Sequence, residues 1–297
     1  MFRITKFKNR IYFLILFIVS FSFLIYSTFN LLSNLNINAF NNTDDTQPGS
    51  IKLPVIMYHS ILKNKSQKYI VSTEQFENDL IYLKNNNFNT VTVADLIDYI
   101  HNDKELPPNP IVITFDDGQL NNLAYAVPLL EKYSMKAIFS VVGYFIEEAS
   151  KTQDHNPNYS YLNWDDINKM ISSNAVEIQC HSYNFHKNRG KRTGANRYIG
   201  EPLDNYEKVF SDDISIFMEL MEENTGYKPT AFAYPFGACS EHSENLLKKE
   251  GFLASFSCYE KLNYISKDNN SLYLLGRFNR SGNISTEAFF KKVLKNY

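Results

Sequence analysis

Short apolar runs separated by polar text recur along most of the chain: LPVIMY (53–58), NTVTV (89–93), PIVITF (110–115), KAIFSVVG (136–143), AVEIQC (175–180), TAFAYPFG (230–237) and LASFSC (253–258). They are near-continuously apolar rather than alternating, which suits parallel strands covered on both faces. Between them, TEQFENDLIYLKNN (73–86), NNLAYAVPLLEKYS (121–134), WDDINKMISS (164–173) and SENLLKKEG (243–251) predict helices, the last closed by Gly251. This βα alternation predicts an α/β fold, either a (β/α) barrel or a doubly wound sheet. In both, ligands gather at the carboxyl ends of the strands, so polar residues placed there are the ones to question.

The N-terminus departs from that pattern. MFRITKFKNR (1–10) carries Arg3, Lys6, Lys8 and Arg10 with no acid, and IYFLILFIVSFSFLIYSTF (11–29) carries no charge. About 20 apolar residues span a bilayer core and flanking cations stay cytoplasmic. A cytoplasmic stub, a single-pass transmembrane helix over 11–29 and an extracytoplasmic remainder at the cell membrane are therefore expected. No A-x-A-like cleavage site follows, which predicts a retained anchor. Residues 30–50, rich in Asn, Ser, Thr and Asp and ending near Pro48 and Gly49, read as a flexible tether. The folded domain is expected over 51–297, the size of an α/β barrel.

With the four N-terminal cations set aside, acids outnumber bases in the rest of the chain, which excludes duplex nucleic acid as a partner. The three cysteines, Cys180, Cys239 and Cys258, have neither metal-site spacing nor a disulfide framework. A monomer is expected.

Candidate chemistry sits just past the predicted strands. Asp116 and Asp117 follow IVITF; adjacent side chains on an extended segment point to opposite sides, so one carboxylate could bind a cation while the other faces substrate. Capping of the following helix is the competing reading. In CHSYNFH, His181 and His186 follow AVEIQ at a spacing that cannot share one helix face, so they converge from a loop if they converge at all. Two His and a carboxylate make the donor set of open catalytic zinc or iron sites. FAYPFG fixes a tight backbone path that could aim the Phe236 amide as an oxyanion donor, or could be an ordinary turn. His59 also follows a strand and is either a proton donor or a spectator.

Taken together, these stretches resemble the polysaccharide deacetylase family, also called the NodB homology domain or carbohydrate esterase family four, over roughly Pro54 to the C-terminus; TFDDG is the most specific part. The resemblance implies a distorted (β/α) barrel that removes N-acetyl groups from a cell-envelope polysaccharide with a divalent ion, zinc first and cobalt, nickel or iron as alternatives. It makes Asp116 the general base, Asp117, His181 and His186 the metal ligands, and the Phe236 amide the oxyanion donor, with Tyr234 and Pro235 at the sugar groove. The family's second motif is usually H-[ST]-x-x-H, and HSYNFH is one residue longer. The branch that deacetylates poly-N-acetylglucosamine, with related membrane-anchored members, shares that spacing and a first strand ending in MYH, as IMYH does here. The usual C-terminal catalytic His is missing from LYLLGRFNRSG (272–282). His59 then stands as the substitute acid, and Arg277 as a residue that orients Asp116 or meets the substrate. No stretch matches the motif that would supply an arginine tethering the base. An O-acetyl esterase and a non-catalytic glycan-binding module are the alternatives.

Overall fold

PIVITF is buried at all six positions, and the computed structural model makes it the centre of a curled parallel sheet. The structure describes residues 49–188, 190–295 and 297. The segments expected to be a cytoplasmic stub (1–10) and a membrane anchor (11–29), and all but the end of the expected 30–50 tether, lie outside the described residues. Among those described, no helix is long and apolar enough to cross a membrane.

The strands are β1 (Ile51–Leu53), β2 (Val55–Tyr58), β3 (Ser60–Leu62), β4 (Ile70–Ser72), β5 (Asn89–Thr90), β6 (Pro110–Phe115), β7 (Ala137–Val141), β8 (Val176–Cys180), β9 (Ala231–Ala233), β10 (Ala254–Phe256), β11 (Asn263–Ile265) and β12 (Phe278–Asn279). The helices are α1 (Thr73–Asn85), α2 (Val93–His101), α3 (Val127–Tyr133), α4 (Gly143–Ser150), α5 (Trp164–Ile171), α6 (Leu203–Thr225), α7 (Glu241–Lys249) and α8 (Thr286–Val293), with a π-helical turn over Asn122–Ala126 ahead of α3. Several starts are written locally. Ser72, Thr92, Asn163 and Ser240 each accept a hydrogen bond from the third residue on, in reciprocal capping boxes. Pro128, which lacks an N–H, falls in the first turn of α3, where no donor is required.

The main sheet runs β10-β9-β8-β7-β6-β2-β12, with β5 beside the start of β6 and every pairing parallel. Its two edges are joined by one short segment. Leu275 exchanges backbone hydrogen bonds with Ser255 and Ser257 next to β10, and three residues later Phe278 pairs with Ile56 of β2. That seam passes close to the 259–261 segment at Gly276, where a Cβ would lie 2.6 Å from the Tyr259 carbonyl oxygen, so only glycine fits. The expected barrel is thus realised as a curled sheet with a thin seam.

Period-two alternation sorts the strands into two layers. Ile56, Tyr58, Ile113, Phe115, Phe139, Ile178 and Phe232 face outward into the helix-covered core. Val55, Val112, Ile138, Ala231, Ala233 and Phe256 form the inner layer. The apolar runs overstate the strands where backbone chemistry intervenes: NTVTV yields to α2 once Thr92 caps it, KAIFSVVG ends before Gly143 opens α4, and TAFAYPFG turns at Pro235.

Candidate active site

Continuing the inward register one position past each strand end generates most of the site. On β6, Val112 is inward and Asp116 falls in phase with it; on β8, Gln179 leads to His181; on β2, Val55 and Met57 lead to His59; across the seam, Arg277 and Asn279 share a face. Asp116, His181, His59 and Asn279 line one cleft of about 830 Å³, together with Asp117, His186 and Phe236. The same register sends Tyr234 the other way. It is fully buried against Phe232, with its hydroxyl donating to Glu244. Pro235 is buried in the turn beneath. Neither lines the cleft, so the expectation that they contact sugar is corrected by strand phase.

Arg277 is also fully buried and cannot meet substrate. Its guanidinium instead grips Asp116 in a bidentate pair, Nη1 to Oδ1 at 2.7 Å and Nη2 to Oδ2 at 2.8 Å, across 161 residues of sequence. Nε donates to the Ser257 carbonyl. Here is the tethering arginine for which no sequence motif was found. Burial alone would raise the Asp116 carboxyl, but Arg277, helped by His181 and His59, holds it far below the usual carboxylate range.

Asp117 breaks the strand. Its φ of +75° is left-handed, so the two acids do not alternate across an extended chain as expected; both turn into the cleft. Neither caps the helical run that starts at Leu120: among the described residues Asp116 accepts from Arg277, and Asp117 Oδ1 accepts no hydrogen bond. Asp117 Oδ1 is buried with no hydrogen-bond partner among the described residues, although His186 Nε2 lies 3.0 Å and His181 Nε2 3.7 Å away. His181 Nδ1 is 2.7 Å from the Ala233 carbonyl, which can only accept. The proton therefore sits on Nδ1 and the Nε2 lone pair faces Asp117, the tautomer a metal ligand requires. One ligand atom from each of Asp117, His181 and His186 lies within 4.8 Å of the others. An orphaned buried oxygen facing two imidazole nitrogens fits a divalent cation.

The three donors shift one another. Burial lowers His181 despite the two acids; burial would also lower His186, but contact with Asp117 raises it; and the histidines outweigh burial to lower Asp117. Rings brace the outer histidine, with Phe236 at 4.6 Å and Phe145 edge-on at 5.7 Å between centroids. Phe236 holds a left-handed backbone (φ +59°) and an exposed ring at the cleft mouth. His59 lies against Tyr69, and its Nδ1 is buried without a partner among the described residues. Sequence reasoning missed the wall formed by 158–161, which is pinned to the acidic turn by Leu120 N–H to the Ser160 carbonyl and Leu162 N–H to the Gly118 carbonyl. It also missed Asp213 on α6; a lone acid in an acid-rich helix carries no signal. The three cysteines are free.

Comparisons with known proteins bear on the family and the fold. A family model for polysaccharide deacetylase matches residues 103–255, just over half of the chain. The provisionally named polysaccharide deacetylase YxkH of Bacillus subtilis (strain 168) is 25% identical over 238 residues, 80% of this chain and 75% of that one. The poly-beta-1,6-N-acetyl-D-glucosamine N-deacetylase of Staphylococcus aureus (strain MSSA476) is 23% identical over 267 residues, 82% of this chain and 86% of its own. A solved de-N-acetylase from Aggregatibacter actinomycetemcomitans superposes with a TM-score of 0.68 at 24% identity, covering 82% of this chain and all of that one. With the acidic turn, the paired histidines and the curled parallel sheet in place, the chain belongs to the polysaccharide deacetylase family.

Proposed function

We propose that this chain hydrolyses the N-acetyl group of N-acetylglucosamine residues in a cell-surface polysaccharide, poly-N-acetylglucosamine or peptidoglycan, releasing acetate and leaving a free amine. The observation that carries the reading is the convergence of Asp117, His181 and His186 beside an Asp116 fixed by Arg277. A divalent ion held by those three donors, zinc first with cobalt, nickel or iron as alternatives, would supply Lewis acidity, polarising the acetyl carbonyl and acidifying water enough for so weak a base as Asp116.

The chain's own groups divide the remaining work. Asp116, ionised and fixed in orientation, accepts the proton of the attacking water. The Phe236 amide is the oxyanion donor, a role worth about 3–4 kcal/mol in comparable sites. His59, whose Nδ1 has no other partner among the described residues, protonates the departing amine. Arg277 touches no substrate and acts by holding Asp116. Residues 11–29 anchor the chain in the membrane, with the catalytic unit outside.

The test is acetate release by the full-length, zinc-loaded chain from β-1,6- and β-1,4-linked N-acetylglucosamine oligomers, from peptidoglycan and from an O-acetylated glycan. Release from the N-acetylated polymers is expected. Acetate from the O-acetylated glycan alone would make the chain an esterase, and glycan retention without acetate would make it a binding module.

A further inference from the structure

His181 is fixed by its own strand, through its backbone N–H to the Val141 carbonyl and its ring to the Ala233 carbonyl. His186 is not. It stands at the far end of an irregular loop that opens with Ser182 in a left-handed conformation (φ +75°). Two elements hold that loop. From one side the first residues of α4 donate to it, Gly143 N–H to the Ser182 carbonyl at 3.1 Å and Tyr144 N–H to the Tyr183 carbonyl at 2.9 Å. A Cβ on Gly143 would come within 2.9 Å of the Tyr183 ring, so the helix start is pressed against the loop. From the other side α6 meets it with the Phe210 ring, which packs near the buried Phe185, and with one carboxylate. Asp213, in the middle of α6, accepts the Tyr183 N–H on Oδ1 at 2.8 Å and the Asn184 N–H on Oδ2 at 2.7 Å.

Asp213 is an expensive choice for a helix interior. It is 7% exposed and makes no ion pair among the described residues. The two cations nearest in effect, Lys187 and Arg192, make no ion pair with it: Lys187 lies over the Tyr144 ring and Arg192 pairs with Glu201. A buried carboxylate without a cation is disfavoured unless hydrogen bonds satisfy it. Among the described residues its only donors are the two loop amides, and these lie between the two metal-binding histidines.

We propose that Asp213 is a positioning residue that sets the reach of His186 toward His181 and Asp117 by clamping the Tyr183–Asn184 amides to α6. The inference rests on the metal-site reading above. It predicts that the preformed pocket loses one of its three ligands when the clamp is removed, because, among the described residues, Asp213 supplies the hydrogen bonds from α6 to the loop backbone, and the other contact on that side, the buried Phe185 ring near Phe210, is apolar and fixes no backbone height.

The experiment is Co²⁺ titration of the full-length chain in detergent near neutral pH, with visible absorption and a competing chelator. Asp213→Ala and Asp213→Asn should each weaken Co²⁺ binding by about 10- to 100-fold, as loss of an outer-sphere partner does elsewhere, and should alter the visible bands. Asp212→Ala, at an exposed neighbour, should leave both unchanged. Folded Asp213 variants with wild-type affinity and spectrum would overturn the proposal. Should neither variant fold, hydrogen exchange on the metal-free wild-type chain decides: slow exchange at Tyr183 and Asn184 supports the clamp, and unprotected amides overturn it. Failure of the wild-type chain to take up Co²⁺ would instead remove the metal-site reading, while the exchange measurement still tests the clamp.

Discussion

Two arginines three residues apart on the barrel seam each clasp a buried aspartate, one on each face of the strand. Arg277 points inward to Asp116, and Arg280 points outward to Asp79 on α1, with Nε to Oδ2 at 2.7 Å and Nη2 to Oδ1 at 3.0 Å. By burial and ion-pair geometry the two clusters are near twins. They differ in how the carboxylate is filled. Asp79 also receives the Tyr58 hydroxyl on Oδ2 and the Thr286 hydroxyl on Oδ1, so four donors occupy its roughly four lone-pair sites. Among the described residues Asp116 receives only the two arginine donors, and its remaining lone pairs are available on the cleft side. A buried Asp–Arg pair therefore does not mark function; an incompletely filled one, opening on a cleft, does.

The largest test of that contrast is Asp116→Asn. Removing a general base costs about 10²- to 10⁴-fold in turnover, so acetate release should fall by that factor while metal content, measured on the purified protein, persists, because Asp117, His181 and His186 are untouched. Wild-type turnover in this variant would end the assignment of the half-filled carboxylate as base.

Asp79→Ala should do the reverse. It leaves the Arg280 guanidinium buried and unpaired, a loss of about 3–5 kcal/mol in unfolding free energy, readable by urea denaturation. Activity per folded molecule should hold. A loss of activity as deep as that of the Asp116 variant, at unchanged stability, would erase the distinction.

How far the sequence carries this contrast depends on the range of the contacts. The acidic turn, the histidine pair and most of the sheet's strands were legible because strand period and local capping are written within a few residues; PIVITF coincides with β6, and TEQFENDLIYLKNN with α1 to within a residue. Arg277 is named from sequence as orienting Asp116 or meeting the substrate, and sequence leaves that choice open, since its partner lies 161 residues away and the strand that follows it is only two residues long. Tyr234 was misplaced because the YPFG turn hides which face its side chain takes. α6, the 23-residue helix that carries Asp213, escaped a search built on apolar runs, for its buried positions are interleaved with acids. Asp117 shows the opposite failure: the residue was right and the reasoning from extended geometry was not, because its left-handed φ is imposed by tertiary structure.

Asp213 extends the comparison to a third buried carboxylate, one without any arginine. Burial, only partly offset by the two loop amides, pushes its pKa from an ordinary 3.8 to about 6. A folded pKa above the unfolded one means the native state binds more protons between those values. Its contribution is thus fully present below pH 3.8 and is lost as pH rises through about 6. Relative to Asp213→Asn, wild-type unfolding free energy should fall by roughly 2–3 kcal/mol between pH 4 and 7. A flat difference would mean that the loop amides satisfy this carboxylate as fully as arginine satisfies the other two.

The smallest effects come from trimming the saturated cluster one donor at a time. Thr286→Val and Tyr58→Phe are nearly isosteric, and each removes one of the four hydrogen bonds while leaving the Arg280 pair whole. Tyr58 is fully buried and Thr286 largely so; each substitution should cost about 1.5–3 kcal/mol, the usual range for a hydrogen bond to a charged group. If saturation is what separates Asp79 from Asp116, the double variant brings Asp79 to the same two-donor state as Asp116. It should then be destabilised by about the sum or somewhat more, because neighbouring donors on one carboxylate are coupled, and it should still show no change in turnover, since no cleft opens beside Asp79. Chemical denaturation of the four-member cycle, with acetate release measured in parallel, separates the two ingredients. Unchanged turnover with an emptied Asp79 would show that spare lone pairs alone do not make a base, and that the cleft supplied by the inward face of the strand is equally required.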